Sequence, residues 1–274
     1  MNNSLSGLPS LAGEYALGGD LVDQYQTKGH IRLNGLCSTE EVAAFRDVIY
    51  RAETRLNRER RPLEERDTYG KAFLQTMNLW TADEDVKAFV FARRFAQVAS
   101  KLMGVSGVRL YHDQSLNKEA GGGHTPWHQD YYYWPLDTAH TITMWMPLVD
   151  ITPEMGTLTF ASASHKEGYL GPLEISDQSE AVFDSMVAER GFTLDHTGAM
   201  RAGDATFHSG TTLHCAPGNR GTYNREVMTI IYFADGTMVM DPDNPNRESD
   251  LGNWLPGLKP GMPAASILNP LLYP

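Results

Sequence analysis

The chain is predicted to be an α+β protein in which helices lead into a core made mainly of antiparallel β-sheet. Three observations carry this. Helical periodicity fills the first hundred residues and stops near Met103. Beyond it, V-R-L-Y-H-D-Q-S-L-N-K, T-I-T-M-W-M-P-L-V-D, G-T-L-T-F-A, D-A-T-F-H and R-E-V-M-T-I-I-Y-F are short, rich in Val, Ile, Thr and aromatics, and separated by turn residues. Finally, 274 residues with 41% hydrophobic content suffice for one large core, a common size for single-domain β-rich barrels and sandwiches.

Taken in order, residues 1–19 are polar and rich in Gly and Ser, and a flexible N-terminus is expected. The run from Leu21 to Ile31 accommodates a helix and then a short strand. Ser38-Thr39-Glu40-Glu41 has the form of a helix start, a hydroxyl cap followed by Glu, leading into V-A-A-F-R-D-V-I-Y-R-A-E-T-R-L. The mixed-charge stretch from Arg58 to Arg66 reads as a solvated face or loop. Val86, Phe89, Val90, Phe95, Val98, Ala99 and Leu102 give Asp83–Met103 a helical pattern. One more helix, S-E-A-V-F-D-S-M-V-A-E-R, is expected within the connection from Pro172 to Ala199. The tail from Asp241 onward reads as an extended, Pro/Gly-rich wrap.

Composition excludes several functions. A net charge of -11 argues against nucleic-acid binding, which needs a basic face for phosphate. No run of about 18 apolar residues is present, so no membrane span is expected. The opening M-N-N-S-L-S-G-L-P-S lacks a basic region followed by an apolar stretch, so no secretory leader is expected. Two cysteines, Cys37 and Cys215, argue against a disulfide framework and lead to the expectation of a cytoplasmic protein.

The chemistry concentrates in T-P-W-H-Q-D-Y-Y-Y-W-P, Thr125–Pro135. Residues two apart on a strand share a face, so His128 and Asp130 would stand side by side. A further histidine would complete a two-histidine, one-carboxylate set, the pattern of non-haem Fe(II) sites that use dioxygen. His208 and His214 both qualify. His165-Lys166-Glu167 competes, but it follows A-S-A-S in an apparent turn and is read as structural. Arg225 opens the last apolar strand, where alternation places it on one face with Val227, Thr229, Ile231 and Phe233. On an interior wall it would be a buried cation in need of an anion, and a carboxylate matches its planar fork. His112, His124, His140 and His196 are expected at surface or turn positions, and His208, if not a ligand, serves in hydrogen bonding.

W-H-Q-D, T-M-W-M-P-L-V-D, M-G-T-L-T-F-A-S-A-S-H-K, G-D-A-T-F-H and H-C-A-P-G-N, with Arg225 beyond, occur in an order and spacing that resemble the phytanoyl-CoA dioxygenase family, over roughly Val108 to Phe233. The resemblance implies a double-stranded β-helix (jelly-roll, cupin-like) flanked by N-terminal helices. It divides one domain, 1–274, into the N-terminus 1–19, a mostly helical flank 20–107, a jelly-roll core 108–235 and a C-terminal wrap 236–274. It implies Fe(II) with 2-oxoglutarate and O2 as cosubstrates, and His128, Asp130 and His214 as both the metal ligands and the catalytic set. Arg225 would grip the far carboxylate of 2-oxoglutarate, with Gln114, Trp145 and Gln75 as further contacts. Ala216, two residues past His214, stands where relatives often carry Ser. Retention of Asp130 favours hydroxylation or another oxidation over halogenation. Tyr132, Trp134, Met146 and Phe233 are candidates for the wall of a medium-sized, partly apolar small-molecule pocket, with Met144 and Met238 adding flexible apolar surface. No basic cradle for coenzyme A is visible. A cupin-like metal-binding isomerase or sensor without oxidative turnover is the alternative, and the oligomeric state is not readable from the chain.

Overall fold

The computed structural model describes residues 7–274. The chain runs α1 (Gly19–Lys28), β1 (His30–Leu33), α2 (Thr39–Leu56), α3 (Thr68–Ala72), β2 (Leu74–Met77), α4 (Glu84–Val90) and α5 (Arg93–Met103) before entering the sheets. Then follow β3 (Val108–Asn117), β4 (Thr125–His128), β5 (Thr141–Pro147), β6 (Thr159–Ala161), α6 (Asp177–Arg190), β7 (Leu194–His196), β8 (Ala205–Ser209), β9 (His214–Ala216) and β10 (Val227–Ala234), with α7 (Pro245–Trp254) and β11 (Leu271–Tyr273) at the end. A seven-stranded sheet has the order β1-β8-β5-β10-β3-β11, with β2 also on β3, and a four-stranded sheet has the order β4-β9-β6-β7. The named strand pairs are antiparallel. This is the expected α+β architecture with a mainly β core behind N-terminal helices.

Alternation sorts the core. Ile142, Met144 and Met146 of β5 and Met228, Ile230 and Tyr232 of β10 face α2, α4 and α5 in one apolar cluster. Thr143 and Trp145, one residue off, face inward to a cavity. Ser38 caps α2 with a full capping box, its side chain accepting from Glu41 N while Glu41 returns a bond to Ser38 N.

Four sequence expectations are corrected. Residues 7–18 are not loose: Leu11 is buried in the helical cluster and the Tyr15 hydroxyl donates to Asn34 O at 3.0 Å; residues 1–6 lie outside the described part. The Asp83–Met103 pattern splits into two helices, broken at Phe91–Ala92. The strand carrying His128 ends there, and Asp130 opens a 3-10 turn, Asp130–Tyr133. The tail contains α7, capped by Asn244 accepting from Arg247 N at 2.9 Å and started by Pro245 at its first position. Asn-Pro is a helix-start signature that the density of Pro and Gly around it obscured.

β3 holds a bulge that matters later. Ile231 pairs with His112 but Tyr232 pairs with Leu110, leaving Tyr111 as the extra residue. Val108 and Leu110 therefore face the helices, while His112, Gln114 and Leu116 face the cavity. Between Gln114 and His112, Asp113 points outward, is fully buried, and accepts from Leu79 N at 3.0 Å and Trp80 N at 3.4 Å. Burial pushes its carboxyl up to about 7 against those bonds. The native state thus keeps a proton that the unfolded chain gives up near pH 4. The stabilisation is present below that pH and is lost as pH rises to about 7, at up to about 1.4 kcal/mol per pH unit. Asp113→Asn should flatten the fall in melting temperature between pH 5 and 7 relative to the parent. Parallel curves for the two proteins would assign the titration elsewhere.

Candidate metal centre and its cavity

His128 ends β4 and His214 begins β9, and the two are direct cross-strand partners. Their rings lie 4.1 Å apart between centroids. The turn after β4 brings Asp130 back over them: its Oδ1 is 3.5 Å from His128 Nε2 and 3.7 Å from His214 Nε2. Donor atoms of the three residues lie within 4.8 Å of one another. The turn, not strand alternation, therefore joins the histidine to the carboxylate.

Each imidazole is oriented from behind. His128 Nδ1 lies 2.7 Å from Pro126 O, and His214 Nδ1 lies 3.0 Å from Thr212 O. A carbonyl only accepts, so each Nδ1 carries the proton and each Nε2 presents a lone pair. Burial, with His128 and His208 nearby, holds His214 well below the usual histidine range. Burial pushes Asp130 up, but His214, His128 and His208 outweigh it and hold the carboxyl well below its usual range. Two imidazole nitrogens and one carboxylate oxygen are a donor set that fits a divalent first-row metal ion.

His208 belongs to the same cluster in a different role. It lies on β8, is 1% exposed, and its ring centroid is 4.3 Å from that of His214. Its Nε2 stands 3.2 Å from Asp130 Oδ2, which also accepts from the Thr143 hydroxyl at 2.8 Å. An ionised carboxylate only accepts, so His208 Nε2 carries the proton and has no lone pair for a metal. This geometry separates His208 from His214, which spacing along the chain left as rivals. With Oδ2 held by two donors, Oδ1 is left for the ion. His208→Leu should weaken Mn(II) binding roughly 10- to 100-fold, as for loss of an outer-shell partner, while His208→Gln, which keeps a donor, should lose less. Unchanged affinity in His208→Leu would rule out the orienting role.

The three residues open onto a cavity of about 460 Å³. Arg225, 1% exposed, lines it with its guanidinium carbon 5.2 Å from the Trp145 ring centroid. Its Nη1 donates to Gly156 O, and its Nε is buried with no partner. Among the described residues no carboxylate pairs with it, and burial lowers its pKa to about 9. Gln75, Gln114 and Trp145 line the same cavity; Gln75 Nε2 donates to Gln114 Oε1, and the Tyr69 hydroxyl donates to Gln75 Oε1 at 2.8 Å.

The proposed substrate wall needs correction. Trp134 lines the cavity, but Tyr132, Met146 and Phe233 do not. The 3-10 turn rotates Tyr132 toward α7, where its hydroxyl accepts from Asn246 at 3.0 Å, and brings Tyr133 into the lining instead. Met146 neighbours Trp145 on one strand, so both cannot face inward; it and Met144 pack against the helices, while Met238 is on the surface. Phe233 lies deeper, in a cluster with Tyr111, Trp134 and Leu255.

Three further lining residues were not expected from the sequence. His112, expected at the surface, is 3% exposed because the bulge turns it inward, and its Nδ1 has no partner. Asp250 and Asn246 reach the cavity one turn apart on α7. Asp250 accepts from the Tyr111 hydroxyl at 2.8 Å, and burial pushes its carboxyl up to about 7. Buried Arg247 fixes the helix by donating to Tyr131 O at 3.0 Å and to Asp243 at 3.0 Å.

The model of the phytanoyl-CoA dioxygenase (PhyH) family matches residues 25–227. The chain belongs to the phytanoyl-CoA dioxygenase family. The match takes in β1 through the start of β10, and thus the whole metal cluster and Arg225. Comparison with curated protein sequences finds no significant match. Solved structures similar to this one include the non-heme alpha ketoglutarate dependent carbocyclase SnoK from nogalamycin biosynthesis. It is 23% identical with a TM-score of 0.77, covering 97% of this chain and 99% of that one. The epimerase SnoN from the same biosynthesis is 23% identical with a TM-score of 0.75, covering 93% and 98%. EctD from S. alaskensis, solved with 2-oxoglutarate and 5-hydroxyectoine, is 18% identical with a TM-score of 0.64, covering 86% and 84%. At these identities the likeness is one of fold.

Proposed function

We propose that this chain is an Fe(II)- and 2-oxoglutarate-dependent oxygenase that oxidises a C–H bond of a small, partly apolar metabolite, hydroxylation being the primary outcome. One observation carries the reading: a buried, carboxylate-free Arg225 opens onto the same cavity as the His128, Asp130 and His214 cluster. A metal-binding isomerase or sensor has use for the cluster but none for that arginine. A small dicarboxylate that meets the metal at one end and the guanidinium at the other satisfies both.

In this reading His128 Nε2, His214 Nε2 and Asp130 Oδ1 hold the metal, and Arg225 holds the far carboxylate of 2-oxoglutarate, with Trp145, Gln114 and Gln75 around it. When bound, iron, 2-oxoglutarate and dioxygen supply the oxidation, with succinate and CO2 released alongside the oxidised substrate. The remaining task of the protein is to seat the substrate and keep water out. Trp134, Tyr133 and Phe73 give the cavity apolar surface, and His112, Asn246 and Asp250 give it polar contacts. Asp67 and Glu174 line it as well, and Arg225 is its sole Lys or Arg among the described residues. Acidic walls repel a polyphosphorylated thioester, so an acyl-CoA substrate is disfavoured and a neutral or amine-bearing metabolite fits better.

Anaerobic addition of Fe(II) and 2-oxoglutarate should produce the weak visible charge-transfer band of a chelated keto acid, and air should then yield succinate. Absence of both would overturn the assignment. Product mass separates the outcomes: one oxygen gained for hydroxylation, two hydrogens lost for ring closure or desaturation, and no change for epimerisation.

A further inference from the structure

The cavity leaves the metal cluster in two directions. His112 stands opposite Ile231, Ile231 opposite Thr143, and Thr143 opposite His208. One row across the sheet thus runs from the two side chains that brace Asp130 Oδ2 to His112 on β3. β3 is two strands from β5, roughly 10 Å. Gln114 and Trp145 share the next inward row, which leads along the strands toward Arg225. The His112 direction ends against α7, where the His112 ring lies 5.5 Å from that of Trp254.

The α7 side of this end presents acceptors. Asn246 and Asp250 both reach the cavity from one face of the helix. Asn246 Nδ2 donates to the Tyr132 hydroxyl at 3.0 Å and to Glu174 Oε2 at 3.1 Å, which uses both amide hydrogens. A carboxylate only accepts, so Glu174 fixes the orientation of the amide and leaves Asn246 Oδ1 as an open acceptor. Asp250 accepts from the Tyr111 hydroxyl at 2.8 Å, and among the described residues no Lys, Arg or His pairs with it. The buried His112 Nδ1 nearby has no partner either. A buried carboxylate held by neutral donors alone is costly without a cation. Asp67 and Glu174 line the same cavity, so the field along it also favours a cation.

We propose that Asp250 is the anchor for the substrate: the oxidised metabolite carries an ammonium group that pairs with Asp250 and donates to Asn246 Oδ1, while its carbon skeleton crosses the cavity past Trp134 to the metal. The inference rests on the oxygenase reading above and names the substrate class as an amine. The two-strand span between β3 and β5 sets the spacing, so oxidation falls on a carbon several bonds from the nitrogen.

The test is calorimetric titration of protein loaded with Mn(II) and 2-oxoglutarate. The probes are 2-phenylethylamine and 4-phenylbutylamine, each set against the alcohol of the same length. In at least one pair the amine should bind about 10-fold or more tighter than its alcohol, the scale of a hydrogen bond to a charged group. Asp250→Asn keeps an acceptor for Tyr111 and should bring amine and alcohol level. Asp250→Glu, which keeps the charge, should keep the preference. A preference that survives in Asp250→Asn would place the ammonium elsewhere, the metal included, and overturn the anchor. So would a parent that binds the amines no better than the alcohols, or binds neither, and that comparison needs no variant. The charge-transfer band of Fe(II) and 2-oxoglutarate separates the two readings. If the parent lacks the band, the oxygenase reading falls; if the band forms and no amine preference is seen, this inference alone falls.

Discussion

Asp130→Ala should abolish succinate formation and reduce Mn(II) affinity by more than the roughly 10- to 100-fold expected from losing an outer-shell partner. The carboxylate is the only anionic donor of the three, so its loss leaves a dication on two neutral imidazoles. It also frees the Thr143 hydroxyl and His208 Nε2, which both point at Asp130 Oδ2, and leaves two donors aimed at an emptied space. The fold should survive, because Asp130 occupies a turn and not a strand interior. Metal titration together with a melting curve checks this. Succinate release at the parental rate would place the chemistry at other residues.

Arg225→Gln should move two measurements in opposite directions. Its affinity for 2-oxoglutarate should fall at least about 30-fold, the cost of removing one partner of a buried, hydrogen-bonded charge pair. The melting temperature without cosubstrate should not fall, because among the described residues no carboxylate pairs with the guanidinium and its Nε has no partner. Calorimetry and thermal melts read the two effects separately. A variant that melts well below the parent would show that Arg225 serves the fold, and unchanged affinity would remove it from the cosubstrate site.

What the sequence made legible follows from what is local. Strand alternation correctly separates Trp145 from the cavity-averted face of β5 once the facing direction is known, and the Ser38–Glu41 box starts α2 where its chemistry says it must. His128, Asp130 and His214 could be picked out by residue type and order. The misses share another cause. His112 was misplaced because a single extra residue, Tyr111, reverses the alternation, and a bulge leaves no compositional mark. Tyr132 and Tyr133 exchanged roles because the strand ends at His128, and the change of period from two to three is decided by a tertiary contact, Tyr131 N donating to Gly210 O at 2.9 Å. Asp250 reaches the site from a helix more than a hundred residues downstream, in a tail whose prolines and glycines outweighed its one helix-start signal.

The carbonyls of Pro126 and Thr212, which fix the two imidazoles, belong to the main chain, so any residue at either position can supply them. Mutational drift around the site can therefore change which molecules enter without disturbing how the imidazoles present themselves. The cavity wall has no such protection: it is assembled from the side chains of a bulged strand, a short turn and a late helix. Lineages descending from this chain are expected to diverge in what they oxidise far sooner than in how they hold the metal.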